Sequence, residues 1–149
     1  MTEQIVSFEV AQLARELGFN LETPYFYNHE FTLCDPNRIF YAGCEEGIEY
    51  DEYFIDWNNY SYQQGPNSPI IEPNYYSAPA QSLLQKWLRE KYELHITIHY
   101  HKNRVFSCGV VNEVDLLLNT SLFGESFKNY EEALEAGLLE ALKYLKEND

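Results

Sequence analysis

Residues 77–100, SAPAQSLLQKWLREKYELHITIHY, decide the fold class. Pro79 suits the first turn of a helix, where its missing N–H costs nothing and its φ is already helical. Leu83, Leu84, Trp87, Leu88 and Lys91 then recur at helical spacing, which predicts one apolar stripe running to about Tyr92. The period then changes from 3.6 to 2. Leu94, Ile96, Ile98 and Tyr100 alternate with His95, Thr97 and His99, the pattern of a half-buried strand. Lys102-Asn103 makes a turn, residues 105–111 run back as the paired strand, and residues 114–118 are read as a third. Residues 130–145, YEEALEAGLLEALKYL, give the closing helix. Asn129 is its N-cap and Glu132 completes a capping box. Leu134, Gly137, Leu138, Ala141, Leu142 and Leu145 form its buried stripe. A glycine inside a helix costs ~1 kcal/mol against alanine, so Gly137 implies a close approach between this helix and the sheet.

Working outward, Ser7 caps a first amphipathic helix carrying Val10, Leu13, Ala14 and Leu17, and Gly18 stands just past its end. Between these helices the chain is aromatic-rich. Tyr25-Phe26-Tyr27, Phe31-Thr32-Leu33 and Ile39-Phe40-Tyr41 read as short antiparallel strands separated by turn residues. Residues 57–79 read as one long loop, because Gly65-Pro66-Asn67-Ser68-Pro69 and Pro73-Asn74 cannot sustain a helix or a central strand. The expectation is a single α+β domain of 149 residues: an antiparallel sheet with helices packed on one face, its C-terminal half running helix, strand, strand, third strand, helix.

Composition narrows the function. The chain carries a formal net charge of −14 and 24 aromatic residues, 13 of them tyrosine. Residues 1–85 hold only Arg15 and Arg38 against 13 acids, a net −11. Such a surface repels phosphate backbones and lacks the cationic footprint that drives nucleic-acid binding. The order helix, strand, strand, strand, helix is shared with double-stranded-RNA-binding domains. Those domains use lysines near the start of the second helix, where this chain has Asn129-Tyr130-Glu131-Glu132. Direct nucleic-acid binding is therefore set aside. No apolar run reaches the ~18 residues of a membrane span, and the N-terminus has no signal-peptide pattern. Three cysteines without a CxxC pair fit a reduced, cytoplasmic protein.

The reactive inventory is thin. His95, His99 and His101 share one strand face, but they lie opposite the apolar face and are read as the solvent side of the sheet. Cys108 alternates with Ser107 and Gly109 so as to point into the core, which argues against a nucleophile. Glu45, Glu46, Glu49, Asp51, Glu52 and Asp56 lack the D-x-D-x-D-G spacing of a calcium loop. No cofactor and no metal site is implied, and no catalytic motif is present. The candidate binding residues are Glu45, Glu46, Glu49, Asp51, Glu52, Tyr60 and Tyr62: an acidic, tyrosine-rich face suited to a basic protein partner. The same rings also suit a lid folded over the sheet.

Three segments resemble a known group. They are Val6-Ser7-Phe8-Glu9-Val10-Ala11 with Leu17-Gly18-Phe19, then residues 78–89 (APAQSLLQKWLR), then residues 130–138 (YEEALEAGL). Together they look like an uncharacterised family of small proteins encoded by phages and prophages of gut Bacteroidetes. That resemblance implies a phage or mobile-element accessory protein in the host cytoplasm and brings no catalytic residues. Two functions follow as expectations. One is a non-catalytic protein-interaction module, with self-association left open. The alternative is a small-molecule-binding or hydrolytic protein with a pocket under the 57–79 loop. A deep pocket lined by His95, His99 or the acids would favour the second, and a flat acidic aromatic face the first.

Overall fold

The computed structural model describes residues 3–36, 54–112 and 125–148. The fold is α+β. In chain order come α1 (Phe8–Glu16), β1 (Phe26–Tyr27), β2 (Leu33–Cys34), a 3-10 turn (Trp57–Asn59), β3 (Tyr76–Ser77), α2 (Gln81–Tyr92), β4 (Leu94–Tyr100), β5 (Phe106–Asn112) and α3 (Tyr130–Glu147). Among the described residues the strands make two small antiparallel sheets, β2–β1–β3 and the hairpin β4–β5. The expected strands at residues 39–41 and 114–118 lie outside the described residues.

Helix ends follow the sequence closely. The Ser7 hydroxyl accepts from the Val10 N–H, which caps α1. At its other end Gly18 takes φ 88°. The Gly18 N–H then reaches the Arg15 carbonyl at 3.0 Å and the Phe19 N–H the Ala14 carbonyl at 2.9 Å, the two bonds of a Schellman ending. Asn129 caps α3 by accepting from the Glu132 N–H at 2.8 Å. Helix α2 begins at Gln81, not at Pro79. Its N-cap Ala80 has no capping side chain, and the Gln81 N–H is satisfied by the Gln4 carbonyl at 2.8 Å. The Pro79 carbonyl instead accepts the Val6 N–H at 3.1 Å, and the antiparallel bridge of Ile5 with Ala80 sets the N-terminal residues where a local cap would stand.

Register puts Ile96 opposite Val110 and Ile98 opposite Cys108, so those four side chains share the face toward the helices. Leu84, Trp87 and Leu88 of α2 and Leu134, Leu138 and Leu142 of α3 pack there with Val10 and Ala14 of α1 in one core cluster. Trp87 lies edge-on to Phe19 and Tyr92, with ring centroids at 5.3 and 5.4 Å. His99 and His101 are exposed on the other face and His95 is half-buried there. Residues 57–79 are more ordered than a single loop. They hold the 3-10 turn, an antiparallel bridge between Tyr62 and Ile71, and β3.

Two hairpins close with the same three-residue turn. Asn28 N–H bonds Thr32 O at 3.1 Å and Phe31 N–H bonds Asn28 O at 3.0 Å; His101 N–H bonds Val105 O at 2.9 Å and Arg104 N–H bonds His101 O at 3.0 Å. Such turns place their third residue in the left-handed region, where glycine is favoured because it has no Cβ. Here Phe31 and Arg104 occupy that position, each at φ 63°.

Candidate functional site

The N-terminal ends of all three described helices meet at one groove of about 800 Å³. Ser7 of the α1 cap, Gln81 at the start of α2 and Asn129 of the α3 cap line it, with Glu3, Glu131, Glu132 and Glu135. No Lys, Arg or His is among the described residues of its wall. Glu135 ties the helices together. One carboxylate oxygen accepts the Ser7 N–H at 2.7 Å, and the other accepts from Gln81 Nε2 at 2.9 Å. Gln81 Nε2 also donates to the Glu131 carbonyl at 3.0 Å. Glu3 accepts the Ser82 hydroxyl. The partial positive charge at three helix N-termini favours carboxylates in this place, so part of the acidity serves the fold. Glu131 and Glu132 sit exposed in the first turn of α3, and neither is in an ion pair with a described residue.

The groove has an apolar side. Leu33 lines it and is 43% exposed. Next to it on the β1–β2 turn stands Phe31, 64% exposed, its ring 4.5 Å from that of Phe8. Tyr27 forms part of the wall, its hydroxyl donating to the Val6 carbonyl at 2.7 Å. Burial, and to a lesser degree the charge of Glu135, pushes the Tyr27 phenol above its ordinary value and keeps it a donor.

The opposite face of β1, where Phe26 points, carries an aromatic ladder. Tyr62 stacks on Tyr60 (6.0 Å), Tyr60 on Tyr75 (6.1 Å) and Tyr75 on Phe26 (4.2 Å), with Trp57 against Phe26 at 4.4 Å. Trp57 anchors it: the ring is 1% exposed and its Nε1–H donates to the Thr23 carbonyl at 2.8 Å. Tyr60 is half-buried and Tyr62 is 39% exposed, so the ladder climbs from the core to solvent. Burial, first, then the neighbouring Tyr62 raises the Tyr75 phenol. A small cleft of about 270 Å³ opens next to Tyr60, lined by polar groups that include Arg15, Asn59 and Glu72. His95 and His99 are not part of it.

Of the residues picked from sequence, Glu45, Glu46, Glu49, Asp51 and Glu52 lie outside the described residues. Tyr60 and Tyr62 come together in the ladder. No local pattern groups Glu3, Glu131, Glu132 and Glu135, because their meeting brings together residues far apart in the chain. The one signal was the acidic start of α3. Among the described residues, no group of three His, Cys, Asp or Glu is placed to hold a metal ion. His101 Nε2 lies 2.7 Å from Ser107 Oγ. Cys108 is buried on the core face, and burial, followed by Glu125 and Glu140, pushes its thiol up to about 11. A thiol held protonated at neutral pH is a poor nucleophile. No helix among the described residues is long and apolar enough to cross a membrane.

The chain matches no protein-family model, no curated protein and no solved structure.

Proposed function

We propose that this protein is a non-catalytic interaction module that docks a basic partner segment on its acidic, aromatic surface. The observation that carries this reading is the groove at the three helix N-termini. It joins exposed carboxylates, free of cationic partners among the described residues, to the exposed side chains of Leu33 and Phe31. Lys or Arg side chains would meet Glu131 and Glu132 while an apolar residue covers Leu33, the combination of charged rim and apolar anchor that gives both steering and residence. The Tyr60–Tyr62 edge of the ladder offers a second aromatic contact. The phage-family resemblance supplies a setting: an accessory factor in the host cytoplasm. A synthetic Lys/Arg peptide carrying one Tyr, titrated by fluorescence anisotropy, tests this. Binding that weakens as salt rises and is lost in a Glu131→Gln, Glu132→Gln variant supports docking. Equal binding by both proteins at low and high salt removes it.

A further inference from the structure

Between Glu93 and Glu113 the chain has no acid at all, although its net charge is −14. Those residues are the β4–β5 hairpin with its turn. They carry Lys102, Arg104 and three histidines. The tip is aromatic as well as basic: Tyr100 is 64% exposed and packs on Phe106 at 5.0 Å. The basic group at the turn is held in an unfavourable place, since Arg104 occupies the left-handed position that glycine fills best.

The basic tip and the acidic groove adjoin. Tyr130, the first residue of α3 and 45% exposed, stands edge-on to Phe106 at 6.4 Å. Its neighbours Asn129, Glu131 and Glu132 line the groove. The first turn of α3 therefore touches the basic aromatic knob through Tyr130 and walls the acidic groove through Glu131 and Glu132. Two complementary patches side by side on one molecule satisfy each other twice when a second copy is related by a two-fold axis, which closes the assembly at a dimer.

We infer that the partner segment of the groove is the β4–β5 hairpin of a second copy of this chain, in an isologous dimer. This rests on the docking proposed above and names its occupant. Lys102 and Arg104 of each copy face Glu131 and Glu132 of the other, and Tyr100 lies against the Leu33 side of the facing groove. The net negative charge of each copy opposes encounter, so the dimer is reversible and dilution separates it.

Sedimentation equilibrium of the full chain between ~10 µM and ~1 mM spans the range where such a contact populates. The expected result is a mass rising from 17.6 kDa toward twice that value. Two charge-reversed variants decide the contact: Lys102→Glu with Arg104→Glu, and Glu131→Lys with Glu132→Lys. Each alone should dimerise about tenfold or more weakly, because like charges then face each other. Mixed in equal amounts they should recover a mixed dimer, since both contacts become attractive again. Arg104→Gly guards against a folding artefact. It should melt no lower than the parent, having lost the left-handed strain, and still dimerise less. A monomer at every concentration overturns the dimer, as does a dimer whose strength ignores both reversals. If the chain stays monomeric while the Lys/Arg/Tyr peptide still binds in a Glu131- and Glu132-dependent way, the dimer fails and the docking site stands. Loss of both sinks both.

Discussion

Gly137 of α3 faces Ile96 of β4 so closely that a Cβ built on the glycine would stand 2.7 Å from Ile96 Cγ2. Real Cβ atoms are not found that near another carbon, and Cys108 closes the other side at 3.6 Å. The glycine lets the helix axis drop onto the hairpin and fixes the distance between α3 and the sheet. Gly137→Ala gains ~1 kcal/mol of helix propensity. It should nonetheless destabilise the protein by about 1–3 kcal/mol net, through overpacking against a buried β-branched side chain. Chemical denaturation of Gly137→Ala, alone and with Ile96→Leu to remove Cγ2, measures this. A stabilised single variant would contradict the packing.

Trp87 is 5% exposed and sits on the same side of the hairpin as Leu138, opposite the histidines. Trp87→Ala should cost about 3–5 kcal/mol. A thermal melt within a degree or two of the parent would rule the packing out.

The Cys108 thiol carries a pH signature. Its folded pKa, about 11 against 9.0 for the free group, means that the native state holds the proton longer than the unfolded state. The stabilisation is therefore fully present below pH 9 and is lost as pH rises from 9 to 11. Melting temperatures across that window should fall, and Cys108→Ala should flatten part of the fall. Below pH 8 the native thiol should react with alkylating reagents far more slowly than the unfolded chain. Fast labelling of native Cys108 at neutral pH would contradict its burial.

The ladder separates stability from binding. Trp57→Phe removes the indole donor from the Thr23 carbonyl in a buried site, and the cost expected is ~1–3 kcal/mol. Tyr62→Ala acts at the exposed end, where stability should change by no more than ~0.5 kcal/mol. Loss of that ring should instead speed peptide dissociation in stopped-flow measurements, as loss of an aromatic anchor does. Unchanged dissociation would confine the ladder to the fold.

The C-terminal half was legible because its signals are local. The change of period at Tyr92, the Asn129 cap and the odd glycine at 137 each announce their role within a few residues. The sequence puts Pro79 in the first turn of α2, whereas the helix begins at Gln81, whose N–H is satisfied by Gln4, a contact from a distant part of the chain that no local pattern encodes. The aromatic segments around Phe26 and Leu33 read as short antiparallel strands, and two-residue strands that pair antiparallel form there. The second strand starts at Leu33 rather than Phe31 because Phe31 is drawn into the turn at positive φ, a backbone requirement that β-alternation does not report. The same holds for the groove. Glu3, Glu131 and Glu135 meet only once three helix N-termini converge, whereas Tyr60 and Tyr62 could be picked out by composition alone.

Amide chemical-shift mapping of the 15N-labelled protein, titrated with the Lys/Arg/Tyr peptide, tests the docking claim most directly. The account predicts saturable shifts clustered at Ser7, Leu33, Gln81, Glu131 and Glu132, with the far ends of α2 and α3 unmoved. No saturable shifts, or shifts that leave every one of these groove residues unmoved, would contradict it.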